Sequence, residues 1–95
     1  MKKAKRAADV MWFEEIPNVG PRIAADFKKL GFSAPQELKG KSALKLYQKL
    51  CVLTRSRHDP CVLDVFMSVV DFMSGGKAKP WWSFTAERKK KYPVI

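Results

Sequence analysis

The stretch Ile16-Pro17-Asn18-Val19-Gly20-Pro21-Arg22-Ile23-Ala24 holds the residues best suited to chemistry. Pro21 suits the first position of a helix, where its missing N–H is no loss. Asn18 and Gly20 tolerate the backbone conformations that close a tight turn ahead of that helix. Val19 is placed to point inward and pin the turn to the core. Such a turn presents an open helix start, where the N–H groups of Gly20, Arg22 and Ile23 converge with the positive end of the helix dipole. A nest of this kind holds a phosphate oxygen and is blind to base identity. Arg22 reaches the same or a neighbouring phosphate, with Lys28 and Lys29 further along. A degenerate second copy is read in Leu38-Lys39-Gly40-Lys41-Ser42-Ala43-Leu44, offering Lys39, Gly40, Lys41, Ser42 and then Lys45. The blander reading is that both turns only pack helices or dock another protein.

Cys51, His58 and Cys61 form a second group. Their types suit three metal ligands, and Cys61, just inside a helix start, suits a thiol of lowered pKa. A closed zinc site needs a fourth ligand, and none is evident. The alternative is a helix cap, Asp59-Pro60, flanked by two small thiols and a loop histidine. Asp64 and Asp71, on one face of an apolar helix, suit a solvent-facing or salt-bridged stripe better than a paired-carboxylate site. Trp81-Trp82 suits a lid on the core, with base stacking as the functional alternative. There is no nucleophile–base constellation, phosphate-binding glycine loop or dinucleotide fingerprint. The expectation is therefore not an enzyme, with no cofactor and no assigned metal.

These residues need elements to position them. Proline and glycine punctuation divides the chain into short helical segments, and no run alternates as a strand does. The first helix is expected over about Arg6–Glu15, with Ala8, Met11, Trp12 and Ile16 on its buried face. The second begins at Pro21, buries Ile23, Ala24, Phe27 and Leu30, and stops at Gly31 with Phe32 folded back. A short third segment opens with a capping box read as Ser33 to Gln36. The fourth starts at Ser42 and buries Ala43, Leu46, Tyr47 and Leu50. The fifth, capped by Asp59, is apolar nearly all round and belongs in the middle of a bundle. A last basic segment runs from about Phe84 to Lys91. The expected fold is all-α, a compact orthogonal bundle of five to six short helices in one domain over 1–95, with basic tails at about 1–6 and 88–95.

Nineteen Lys and Arg against nine Asp and Glu give a formal charge of +10. That excess points to a polyanionic partner. No stretch has the unbroken apolar length of a membrane span, and the N-terminus does not read as a secretory signal. Two cysteines without such a signal suggest a reducing, cytoplasmic setting.

The turn from Ile16 to Ala24 resembles the helix-hairpin-helix motif of DNA repair and recombination proteins, with Asn18 where that motif usually has Gly. The resemblance implies contact between DNA backbone and Asn18, Val19, Gly20 and Arg22. The order of this hairpin, Leu50-Cys51, the stretch Arg57 to Phe66, and Pro80-Trp81-Trp82 resembles a small bacterial family labelled "pathogenicity locus" or "mitomycin resistance protein". That family is similar in its first half to the C-terminal domain of the competence regulator TfoX. The resulting expectation is non-catalytic, sequence-independent DNA binding through hairpin amides and Arg/Lys contacts to phosphates, in repair, competence or stress response. A protein-interaction adaptor on the same bundle, and a metal- or thiol-dependent protein using Cys51, His58 and Cys61, stand as alternatives.

Overall fold

The structure is a computed structural model that describes residues 2–95. Among them are four α-helices: α1 (Pro21–Lys29), α2 (Ala43–Thr54), α3 (Pro60–Met73) and α4 (Thr85–Lys91). Four single 3-10 turns accompany them, at Ala7–Asp9, Phe13–Glu15, Pro35–Leu38 and Trp81–Phe84. The fold is all-α, as its punctuation implies.

Helix α3 is the axis of the bundle. Leu63, Phe66 and Val69 are completely buried, and α2, α4 and the turns at Pro35–Leu38 and Trp81–Phe84 pack around them. Phe27 of α1 stacks at 5.2 Å on Phe66 and at 5.7 Å on Phe13, so three elements meet at one aromatic group. Each such ring contributes about 2–3 kcal/mol by leaving water. The helix ends follow local chemistry. Asp59 accepts the Cys61 N–H at 2.8 Å, Ser42 Oγ accepts the Lys45 N–H at 3.3 Å, and Gly31 takes φ +96°. Phe32 N–H returns to the Phe27 carbonyl at 3.1 Å, which closes α1 in a Schellman motif.

The expected first helix is absent. Residues 7–15 form two 3-10 turns, with extended backbone at Val10 and Trp12. The buried side chains there are Val10, Phe13 and Ile16, while Met11 and Trp12 are 75% and 61% exposed. Ala4 and Ala7 also pack on the core, so every third residue from Ala4 to Val19 turns inward. That period matches the 3.0 residues of a 3-10 turn and not the 3.6 of an α-helix. The capping box also differs from expectation. Glu37, not Gln36, accepts from Ser33 and Ala34 N–H, and Gln36 instead donates to the Val10 carbonyl at 2.6 Å.

Neither basic end is a free tail. Ala4 N–H donates to the Glu15 carbonyl at 2.8 Å. At the other end Arg88 is buried and its Nε sits 2.7 Å from Asp64 Oδ1. Thr85 Oγ1 donates to the other Asp64 oxygen at 2.7 Å. Donating this hydrogen bond to Asp64 raises the already high Arg88 pKa. Removing one partner of such a buried pair leaves a bare charge, at about 3–5 kcal/mol. This pair fastens α4 to α3. The salt-bridged reading of Asp64 is therefore the correct one.

Candidate nucleic-acid interface

The first hairpin runs from the 3-10 turn at Phe13–Glu15 into α1. Ile16 and Val19 are fully buried, and Val19 N–H donates to the Ile16 carbonyl at 3.1 Å. Val19 thus pins the turn from inside, and neither its side chain nor its amide is left for a ligand. Asn18 takes the left-handed φ of +72°. Its side-chain amide donates to the Lys79 carbonyl at 2.7 Å and to Ser68 Oγ at 3.2 Å. Asn18 is therefore a clamp joining the hairpin to α3 and to the segment before α4, and its side chain is turned inward.

Gly20 corrects another expectation. Its φ is −102° and ψ −173°, extended backbone open to any residue, and a Cβ there would meet nothing within 4 Å. What Gly20 contributes at the helix cap is the lack of a side chain. No side-chain oxygen reaches back to the first turn, Pro21 has no N–H, and the N–H groups of Gly20, Arg22 and Ile23 have no partner among the described residues. Arg22 and Lys28 are exposed and Ile23 is half-buried. Lys3, which sequence reasoning passed over, lies across the same turn. Its ammonium donates to the Glu14 carbonyl at 2.7 Å and to the Val19 carbonyl. Partial burial pushes its pKa below the usual lysine range, with the Glu14 charge pulling the other way. Lys3, Glu14, Val19, Gly20 and Pro21 enclose a hollow of about 210 Å³. Only the three-residue spacing, which brings Ala4 inward, hints at this in the sequence.

The second hairpin repeats the first at a constant step. The same 22 residues separate Glu15 from Glu37, Ile16 from Leu38, Asn18 from Gly40 and Gly20 from Ser42. In both copies a glutamate in a 3-10 turn accepts backbone N–H groups just ahead of it. In both a left-handed residue then turns the chain into a helix. The second copy, however, satisfies more of its own groups. Gly40 N–H donates to Ser74 Oγ at 3.0 Å, and Ser42 caps its own helix. Lys41 N–H donates to the Leu38 carbonyl at 3.3 Å, the bond that Val19 and Ile16 make in the first copy. Gly40 and Ser42 thus hold structure, and what remains outward are the side chains of Lys39, Lys41 and Lys45.

Cys51, His58 and Cys61 are not gathered. Among the described residues no three His, Cys, Asp or Glu side chains come together as a metal site. The His58 ring bonds Thr54 Oγ1 at 2.8 Å, and its carbonyl accepts from the Tyr47 hydroxyl. Cys61 is exposed, but its hydrogen bond to Asp59 raises the thiol pKa, opposite to what a reactive thiolate needs. The tryptophans divide: Trp81 packs on the core as a lid, while Trp82 is 64% exposed.

A family model described as "Pathogenicity locus" matches residues 6–90. The mitomycin resistance protein McrB of Streptomyces lavendulae is 38% identical over 75 residues, covering 79% of this chain and 71% of that protein. No solved structure matches.

Proposed function

The chain belongs to the pathogenicity-locus family, and from that footing we propose that it binds nucleic acid through its phosphates, without catalysis and without reading sequence. One observation carries the proposal: three unpartnered amides at a glycine-capped helix start, beside exposed Arg22 and the Lys3 ammonium. A phosphate oxygen is the acceptor those donors lack. The net charge of +10 draws a polyanion toward them, and Lys39, Lys41 and Lys45 add contacts from the second hairpin. Glu14 works against an anion in the hollow by the turn, so Arg22 and the amides carry most of the grip. No helix offers the cluster of Arg, Asn and Gln that base readout uses. A part in repair, competence or stress response rests on the family resemblance.

The test is a binding titration on duplex and single-stranded DNA over a range of salt. Neutralising about four phosphates gives a log K against log[salt] slope of roughly −3 to −4. A flat dependence overturns the proposal.

A second reading, a protein adaptor, is favoured by Val52 and Leu53, neighbours on α2 that are 76% and 52% exposed. A stoichiometric protein partner that is lost on Leu53→Ser, with no affinity for DNA, would select it.

A further inference from the structure

The exposed Trp12 is not used by the phosphate grip, yet it stands next to it. A hollow of about 200 Å³ is lined by Met11, Trp12, Phe13, Glu14, Lys28 and Ala34, among others. Glu14 also lines the hollow beside the hairpin, so the two adjoin. Trp12 is held in extended backbone (φ −124°, ψ 146°) by its N–H bond to Glu15 Oε1 at 2.9 Å, and the residue is 61% exposed. The position equivalent to Trp12 in the second copy is Ala34, which lines the same hollow from the other side. The aromatic group is thus specific to the first copy, at the seam between the two.

Both hollows balance one ammonium against the shared Glu14 carboxylate, and they differ in their walls. The one at the turn has Lys3 and the backbone of Val19, Gly20 and Pro21. The one at Trp12 has Lys28 and an indole ring, with the polar Ser33 and Gln36 on its rim. An anion gains little there, whereas a neutral flat group gains a ring face. The volume falls below the ~300 Å³ of ordinary small-molecule sites, which suits a single planar heterocycle. We propose that Trp12 and its hollow receive one unpaired nucleobase of a strand whose phosphate backbone lies on the Gly20–Ile23 amides. This rests on the phosphate reading and adds a substrate class: nucleic acid with unstacked bases, such as single strands, ends or junctions. Base-paired DNA keeps its ring faces stacked and has none to offer.

The experiment uses the Trp81→Phe/Trp82→Phe chain, in which Trp12 is the remaining tryptophan. It is titrated with oligothymidylate and with an abasic deoxyribose-phosphate oligomer of equal length. Oligothymidylate is expected to quench Trp12 emission and the abasic oligomer to leave it unchanged. In the otherwise unaltered chain, Trp12→Ala is expected to weaken oligothymidylate binding about tenfold and duplex binding by about twofold or less, while Trp12→Phe retains most of the affinity. Should the double variant not fold, the same signal is read as the part of the wild-type quenching that Trp12→Phe removes. Equal quenching by both polymers, or equal weakening of single-stranded and duplex binding by Trp12→Ala, overturns the stacking proposal. If duplex and abasic oligomer still bind with a steep salt dependence while Trp12 stays silent, stacking fails and the phosphate grip stands. If none of the polymers binds, both fail.

Discussion

The two hairpins share one backbone plan and differ in where their polar groups end. The second spends its polar groups on structure: Ser42 Oγ caps α2, and Gly40 N–H is taken by Ser74 at the end of α3. The first leaves its helix amides open and places its side-chain bonds elsewhere, through Asn18 to Lys79 and Ser68. An amide left open at a solvent-facing helix start is hydrated, so leaving it uncapped costs only a few tenths of a kcal/mol relative to a serine cap. At the helix starts the copies thus differ at one matched amide, Ile23 N–H open where Lys45 N–H is capped by Ser42, and in the exposed Arg22 that the first sets where the second has the half-buried Leu44.

The comparison is broken most strongly at its left-handed residues. Asn18→Ala removes two hydrogen bonds and puts a strained residue at φ +72°, an expected loss of about 2–4 kcal/mol of unfolding free energy, measured by denaturant titration. Gly40→Ala, which removes no side-chain bond at φ +71°, should lose about 1–2 kcal/mol. Asn18→Gly relieves the strain and isolates the two bonds. Equal losses for the two alanine variants would mean that Asn18 is no clamp.

Next comes charge. Arg22→Ala is expected to reduce affinity about equally for all DNA sequences and to make the salt slope shallower by about one unit. Glu14→Gln should act oppositely, tightening binding by a few fold as a nearby negative charge is removed. If both leave the salt titration unchanged, the first hairpin is not the binding copy.

A smaller effect comes from exchanging the caps. Gly20→Ser gives the first turn a hydroxyl for the Ile23 N–H, as Ser42 gives the second. Stability should rise by a few tenths of a kcal/mol, and DNA affinity should fall as an open donor is closed. Ser42→Gly should reverse the stability change without the same loss in binding. A Gly20→Ser chain that binds as tightly as the parent would show that the open amides are not the grip.

The smallest difference lies ahead of the turns. Glu37 accepts a third bond, from the Ser33 hydroxyl at 2.7 Å, while the position matching Ser33 in the first copy is Met11, which has no hydroxyl. That hydroxyl, with the Ser33 and Ala34 amides, holds the Glu37 carboxyl below its ordinary pKa of 4.5. Its stabilisation is complete above that ordinary value and fades as pH falls through the lower folded value. An acid unfolding curve should therefore be flatter for Glu37→Gln than for the parent.

Much of the bundle was legible in the sequence, and the reasons are particular. Pro21, Ser42, Asp59-Pro60 and Gly31 announced where α1, α2 and α3 begin or end. The pairing of the hairpins was visible in Gly40 and its lysines, though Glu15 and Glu37, which complete the repeat, were passed over. Arg22 and Lys28 are exposed as expected. The path of residues 4–19 was misread because Ala8, Met11, Trp12 and Ile16 also fit a 3.6-residue face; the inward set, spaced by three, is equally apolar, and local pattern does not choose between them.

The sequence by itself determined the helices whose ends are written in neighbouring residues. A proline restricts its own φ, a serine or aspartate oxygen bonds an amide two or three positions on, and a glycine admits a positive φ, all within one turn of chain. Tertiary structure alone decided the rest: Lys3 laid across Val19, Asn18 tied to Lys79, Arg88 drawn onto Asp64. Those partners lie far apart along the chain, and burial around α3 sets which of many equally polar candidates meet. The open amides of α1 owe their start to a local glycine and proline, and their exposure to the packing that draws Val19 and the Asn18 side chain inward while Pro21 and Arg22 stay at the surface.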